Sequence, residues 1–167
     1  MEVENSSLFL PWYNFELIEH LQSYLKPEMN IFEYGIGFSS LFYAEKKCTV
    51  YGVETRLSWK NKVETLAKEN DLNERINIEL CENVANFHKA VLKYDKIFDV
   101  IVVDSIQRLA CLKAAKSVYK KGLIILDNSE RPNLSEAKNI MAGFNLLEFE
   151  GKRPHDAKTS SALVFFK

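Results

Sequence analysis

Cysteine, glycine and proline are scarce in this sequence, and each shortage argues against a class of protein. Only three of the 167 residues are cysteine, at positions 48, 81 and 111, and no two of them form a C-x-x-C pair. This pattern argues against a disulfide framework and against a zinc site. With six glycines and four prolines, no linker rich in these residues divides the chain. We therefore predict one domain over residues 1–167, in which an N-terminal helical segment (1–29) precedes an α/β core (30–167).

Net charge and long apolar runs are also lacking. The 22 basic residues nearly balance the 23 acidic ones, which leaves a formal charge of −1 and no electrostatic signature of a nucleic-acid or anionic-membrane partner. Residues 1–5 are acidic, and no run approaches the ~20 apolar residues that a membrane span needs. We expect a cytoplasmic protein that acts on a small molecule and binds neither nucleic acid nor membrane.

The clearest motif is a strand, a tight turn and a helix start within residues 30–47. An apolar strand leads into Gly35 and Gly37, and a helix-compatible segment follows from Ser39. Glycine permits the turn and lets the backbone approach a polar ligand closely. About twenty residues after Gly35, a second apolar run ends in Glu54, at the strand tip where a carboxylate commonly binds ribose hydroxyls. The pattern predicts a nucleotide-like cofactor.

Strands and helices alternate along most of the chain. Apolar periodicity predicts helices at residues 12–25, 58–70, 109–119 and 134–141, and strands at 75–80, 98–103 and 123–126. The run at 98–103 is the most apolar, so it should lie in the centre of the sheet. The strands at 146–149 and 162–166 have no helix between them and should pair as an antiparallel hairpin. The expected fold is α/β, a doubly wound, mostly parallel seven-stranded sheet with a C-terminal antiparallel hairpin.

This order of features resembles the class I S-adenosylmethionine-dependent methyltransferases over about residues 30–167. The acidic residue two positions before the glycines of that family is matched by Glu33. The resemblance implies that the turn, with Ser39, contacts the methionine part of S-adenosylmethionine and that Glu54 binds the ribose. It also implies that the residues after the third strand line the adenine pocket; here these are Glu82, Asn83 and Val84. The residues after the fourth strand, Asp104 and Ser105, would face the methionyl end of the cofactor and the substrate.

The tip of the fifth strand carries Asp127 and Asn128, which should lie beside Asp104. The arrangement is similar to the metal-dependent catechol and caffeoyl-CoA O-methyltransferases, in which an Asp and an Asp-Asn pair hold magnesium or calcium. The match is incomplete, because Gln107 stands where the catechol enzymes have a lysine. We therefore predict catalytic roles for Asp104, Asp127, Asn128 and Arg131 with no metal site, and a divalent cation is the alternative. Asp127 and Asn128 would also suit a turn.

Three further features concern the acceptor. Arg108 and Arg131 both follow strand tips, and their guanidinium forks would suit an anionic group on a substrate. His155, in the connector of the closing hairpin, is a candidate base. Aromatic residues are candidates for lining the pocket, although core packing is the commoner role: Trp12, Tyr13, Phe38 and Tyr43.

The predicted function is S-adenosylmethionine-dependent methyl transfer to a small-molecule acceptor, with a hydroxyl group as the candidate. One alternative is a nicotinamide-dependent oxidoreductase, which Ser40 disfavours because it replaces the third glycine of the dinucleotide fingerprint. The other alternative is a non-catalytic binding or scaffold protein of the same fold. A homodimer is left open.

Overall fold

A computed structural model describes residues 7–167 and contains a seven-stranded sheet. The segment 1–5, with its two glutamates, lies outside the described part. The strands lie in the order β3-β2-β1-β4-β5-β7-β6, so β4 is the central one, as predicted. Their bounds are β1 Asn30–Tyr34, β2 Thr49–Glu54, β3 Ile76–Leu80, β4 Val100–Val103, β5 Leu123–Asp127, β6 Asn145–Lys152 and β7 Thr159–Phe166.

Strand direction follows the connections between strands. The pairs formed among β1 to β5 are all parallel, whereas β7 is antiparallel to both β5 and β6. A connection too short for a crossover helix requires antiparallel pairing, and only six residues, 153–158, separate β6 from β7. The predicted fold class and its closing hairpin are confirmed.

Helices cover both faces of the sheet. Their bounds are α1 Phe15–Tyr24, α2 Phe38–Glu45, α3 Leu57–Glu69, α4 Arg108–Val118 and α5 Ala137–Ile140, with 3₁₀ segments at Asn73–Arg75, Val84–Lys93 and Pro132–Leu134. In β4, Val100 and Val102 pack with α1 and α2, whereas Ile101 and Val103 pack with α4 and the segment Val84–Lys93. Alternate side chains of a strand point to opposite faces, so a strand buried on both faces is apolar throughout.

The predicted boundaries differ most from the observed ones in three parts of the chain. Helix α1 begins at Phe15 rather than at position 12, because the Asn14 side chain caps it by accepting from the Leu17 amide at 2.9 Å. The hairpin strands are longer than predicted, since their pairing continues from Asn145 opposite Phe166 to Lys152 opposite Thr159. The helix expected at 134–141 is divided into a 3₁₀ turn and the four-residue α5.

Asn14 also joins α1 to the hairpin. Its Nδ2 donates to the carbonyls of Phe149 and Ser160 at 3.2 and 3.1 Å, and the residue is fully buried. The segment before it is tied down as well, because the Leu8 amide donates to Glu45 Oε1 at 3.0 Å. The segment between Leu8 and Asn14 is therefore anchored at both ends. Within residues 7–167, no helix combines the length and the apolarity that crossing a membrane requires.

Candidate active site

A pocket of about 320 Å³ opens at the carboxyl ends of β1, β4 and β5. This is the edge where parallel α/β sheets bind ligands. The pocket brings together seven of the residues that the sequence singled out: Gly35, Gly37, Ser39, Asp104, Asp127, Asn128 and Arg131. Its other lining residues are Trp12, Tyr13, Ile36, Phe38, Arg56, Trp59, Arg108 and Arg153.

The glycine turn places backbone directly against the tip of β4. Gly35 has a φ of 84°, and a Cβ on it would lie 2.5 Å from the Asp104 carbonyl oxygen, so only glycine fits there. Gly37 is extended, and a Cβ on it would make an ordinary 3.7 Å contact with the Trp59 ring. The Trp59 indole donates to the Ile36 carbonyl at 2.6 Å. The turn is thus tight at Gly35 and open towards the pocket at Gly37.

Glu33 is a fully buried carboxylate at the end of β1. One of its oxygens accepts a hydrogen bond from Ser40, and the other, Oε1, has no hydrogen-bond partner. Burial raises the pKa of Glu33 to about 7, while the neighbouring Ser39 and Ser40 hydroxyls oppose the shift and Asp104 adds to it. A buried acceptor without a donor is the kind of group that a cationic ligand satisfies.

Glu54 and Asn83 lie outside this pocket. Glu54 is buried at the end of β2, and its Oε1 accepts from the backbone amides of Thr55 and Arg56 at 2.8 and 2.9 Å. Asn83 caps the segment Val84–Lys93, with its Oδ1 accepting from the Ala85 amide at 3.2 Å. The cofactor roles of these two residues, and those of Glu33 and Ser105, which also lie off the pocket lining, stay predictions.

A buried guanidinium joins the tips of β4 and β5. Arg108 Nη2 donates to Asp104 Oδ1 at 2.7 Å and to Asn128 Oδ1 at 3.1 Å, and Nη1 donates to the Ser105 carbonyl at 2.6 Å. The Arg108 side chain is only 10% exposed. Helix α4 starts at this residue, directly after Gln107 adopts a left-handed conformation with φ 51°. Arg108 therefore supplies a fixed positive charge between the two tips.

The same oxygens are those that a divalent cation would need at this place. Arg108 donates to one oxygen of Asp104 and to the amide oxygen of Asn128, and Arg131 also donates to that amide oxygen at 3.3 Å. Gln107 donates to the Val84 carbonyl at 2.9 Å and does not line the pocket. In the described chain, no three His, Cys, Asp or Glu side chains are grouped to hold a metal. The residues present do not fit a cation between these tips.

Asp127 is the second buried carboxylate of the site. It is 2% exposed, lines the pocket, and its Oδ1 has no hydrogen-bond partner. Burial raises the pKa of Asp127 well above its ordinary value, and Asp104 raises it further. Burial also raises the pKa of Asp104, although Arg108 opposes that shift. Asp127 is thus a pocket-lining carboxyl group with an unpartnered oxygen.

Besides Ile36, which lies between the two predicted glycines, three lining residues were missed by the sequence reasoning: Arg56, Trp59 and Arg153. The first two follow Glu54 closely, and residues just after a strand tip reach the ligand edge, so their position was an available signal. Arg153 begins the hairpin connector. His155, the predicted base, does not line the pocket; its ring stacks on Trp12 with centroids 4.4 Å apart.

Comparison with known proteins gives matches in structure. No protein-family model matches the sequence, and no curated protein does either. An O-methyltransferase from Bacillus cereus, solved in complex with S-adenosylhomocysteine (SAH), matches with a TM-score of 0.69 and 15% identity, over 91% of this chain and 78% of that one. The O-methyltransferase TomG from Streptomyces achromogenes, which is involved in tomaymycin synthesis and was solved with S-adenosylmethionine, gives a TM-score of 0.71 and 14% identity over 89% and 77%.

A third match has another chemistry in its name. Precorrin 8w decarboxylase from Methanobacterium thermoautotrophicum gives a TM-score of 0.68 and 16% identity, over 95% of this chain and 93% of that one. The strand order and these matches agree. The chain has the class I methyltransferase fold. At such identities the likeness is one of fold, and activity follows from the residues of the site.

Proposed function

We propose that the protein transfers a methyl group from S-adenosylmethionine to a hydroxyl group of a small molecule. The observation that carries this proposal is that two strand tips each bear a buried carboxylate with an unpartnered oxygen, Glu33 on β1 and Asp127 on β5. One suits a cationic cofactor, and the other suits an acceptor that must lose a proton. Both belong to the edge of a sheet with the methyltransferase fold.

The residues present fit the cofactor. Gly35 packs tightly against Asp104, Gly37 lines the pocket without a side chain, and Glu33 offers a carboxylate to the cofactor ammonium. All the hydrogen bonds described for Glu54 go to Oε1, so we assign Oε2 to the ribose hydroxyls. Because S-adenosylmethionine lacks a pyrophosphate, carboxylates at strand tips suit it better than they suit a dinucleotide.

The protein has two tasks in the reaction, to align the acceptor and to receive its proton. The cofactor supplies an electrophilic methyl group on a sulfonium. Asp127 hydrogen-bonds the acceptor hydroxyl and takes its proton as the carbon–oxygen bond forms; its raised pKa makes it a stronger base than an exposed aspartate. Arg108 holds Asp104 and Asn128 in place around it. Alignment inside a pocket with water excluded accounts for much of the acceleration in such displacements.

SAH should stabilise the protein against heat. A ligand that binds only the folded state contributes about 2.7 kcal/mol at a hundred times its Kd, which corresponds to roughly 5–10 °C for a chain of this size. In Glu54→Ala we expect most of this shift to disappear, whereas Glu64→Ala, on the exposed side of α3, should keep it. Thermal unfolding with SAH and with NADH measures both. A shift with NADH and none with SAH would favour the oxidoreductase alternative.

SAH binding should weaken as the pH falls below about 7. Because burial raises the pKa of Glu33 to about 7, this carboxyl becomes protonated there and loses its attraction for the ligand ammonium. The loss approaches about tenfold in Kd per pH unit. Calorimetric titration from pH 5.5 to 7.5 would show it.

The matched variant is Glu33→Gln, which keeps the size of the side chain and cannot titrate. Asp104 and Asp127 are unchanged in this variant. The part of the pH dependence of SAH binding that disappears in Glu33→Gln can therefore be attributed to Glu33. The same slope in both proteins would assign the effect to the other two carboxyls. In the free protein, the raised pKa of Glu33 lowers stability as the pH rises from about 4.5 to 7, because the folded form binds more protons there.

A further inference from the structure

Four arginines surround the pocket, and three of them already have a carboxylate partner. Arg108 pairs with Asp104 at 2.7 Å, Arg153 Nε donates to Asp156 at 3.1 Å, and Arg56 lies 3.6 Å from Glu54. Arg131 has only the amide oxygen of Asn128, at 3.3 Å, and forms no ion pair within residues 7–167. Among the four, Arg131 is therefore the arginine with no carboxylate within ion-pair distance in the described chain, although Asp104 lies near enough for the two charges to interact.

The loop that carries Arg131 is fixed in place. The Ser129 amide donates to the Ser161 carbonyl at 2.9 Å, and the Ser161 amide donates to Glu130 Oε2 at 2.9 Å. The carboxylate next to Arg131 in sequence is therefore engaged with β7. The Arg131 amide itself donates to the Asn128 carbonyl at 3.2 Å. Arg131 is thus presented at the pocket on a pinned backbone, with an end free to bind a ligand.

Part of the pocket lining is aromatic. Trp12 and Trp59 both line it, with their centroids 6.5 Å apart, and Trp12 is supported from behind by the His155 ring. Indole faces favour planar groups, and a guanidinium fork favours a carboxylate or phosphate bound through two oxygens. The unpartnered Oδ1 of Asp127 lies in the same pocket, four residues before Arg131.

We propose that the acceptor is a planar hydroxylated anion whose carboxylate or phosphate binds Arg131. The inference rests on the proposed function, because it assigns the substrate class of the same pocket. The ring lies against Trp12, and the hydroxyl meets Asp127. Methyl transfer then breaks the sulfur–carbon bond of the cofactor and forms a carbon–oxygen bond on the acceptor. The hydroxyl proton passes to Asp127, and SAH is released.

The test uses the full chain saturated with SAH and three probes: 4-hydroxybenzoate, 4-hydroxyphenyl phosphate and neutral 4-hydroxybenzamide. We expect at least one of the two anions to bind about tenfold more tightly than the amide, as a charge-assisted, two-oxygen contact should. The better anion also distinguishes a carboxylate acceptor from a phosphate one. In Arg131→Gln the preference should fall to about one, while the SAH affinity is retained.

Arg75→Gln is the matched control. Arg75 pairs with Glu28 and donates to the Lys47 carbonyl, so it lies at the opposite, amino edge of the sheet. The same change of net charge there should leave the anion preference intact. If SAH binds but the amide binds as well as the anions, if none of the probes binds, or if the preference survives in Arg131→Gln, the inference is wrong on its own. If SAH does not bind, the proposed function fails and this inference with it.

Discussion

Replacing Asp127 with asparagine should lower the rate of methyl transfer by about 10²–10⁴-fold without lowering the thermal stability of the protein. The loss is expected because asparagine keeps the shape of the side chain and cannot accept the acceptor proton. The measurement is the single-turnover transfer of a labelled methyl group, with SAH affinity determined in parallel. Asp95→Asn, the same substitution at an exposed aspartate, should leave the rate unchanged.

The thermal stability of Asp127→Asn shows whether Asp127 has a catalytic role or a structural one. Burial raises the pKa of Asp127, so the folded protein binds more protons than the unfolded chain, and stability falls as the pH rises through that range. Asparagine removes this loss, so at pH 8 the variant should unfold at the same temperature or a higher one. For the same reason, activity of the unchanged protein should rise with pH. A drop in unfolding temperature that parallels the drop in rate would show that Asp127 serves packing instead.

Gly35→Ala should destabilise the fold by more than about 3 kcal/mol. A side chain at its φ of 84° costs roughly 1–2 kcal/mol, and the new Cβ would lie 2.5 Å from a backbone oxygen of Asp104, which cannot move without shifting β4. At roughly 2–4 °C per kcal/mol, the unfolding temperature should fall by about 10 °C. Thermal unfolding followed by circular dichroism measures this.

Gly143→Ala is the control for the Gly35 variant. Gly143 has nearly the same φ, 90°, but a Cβ there meets no atom within 4 Å. The free energy of unfolding of Gly143→Ala should therefore fall only by the cost of the backbone strain, about 1–2 kcal/mol. The difference between the two variants isolates the contact with Asp104. Equal losses would mean that β1 and β4 can separate at their tips without harm.

Much of the fold could be read from the sequence because its signals are local. Continuous apolar runs such as 98–103 mark strands buried on both faces, and the missing crossover helix near the end predicts the hairpin. The boundaries were less accessible. Asn14 fixes the start of α1 because its side chain caps the helix and also binds β6 and β7. The contacts with β6 and β7 join residues more than 130 positions apart, so the sequence does not reveal them.

The site divides in the same way. The strand-tip residues Asp104, Asp127 and Asn128 could be placed together because parallel strands end at one edge. The guanidinium between them could not, since it depends on the left-handed Gln107 and on the direction in which the Arg108 side chain turns. The aromatic wall also required coordinates, because Trp12 and His155 come from distant parts of the chain.

The position of β7 between β5 and β6 bears on how the protein folds during synthesis. Until Thr159–Phe166 have left the ribosome, the outer edge of β5 has no strand to pair with, and an open edge invites association with other chains. The loop that carries Arg131 is also unanchored until then, because the hydrogen bonds that fix it in place are made with Ser161 of β7. We expect nascent chains that stop before β7 to need chaperone protection, and the pocket to become competent only when this strand has inserted.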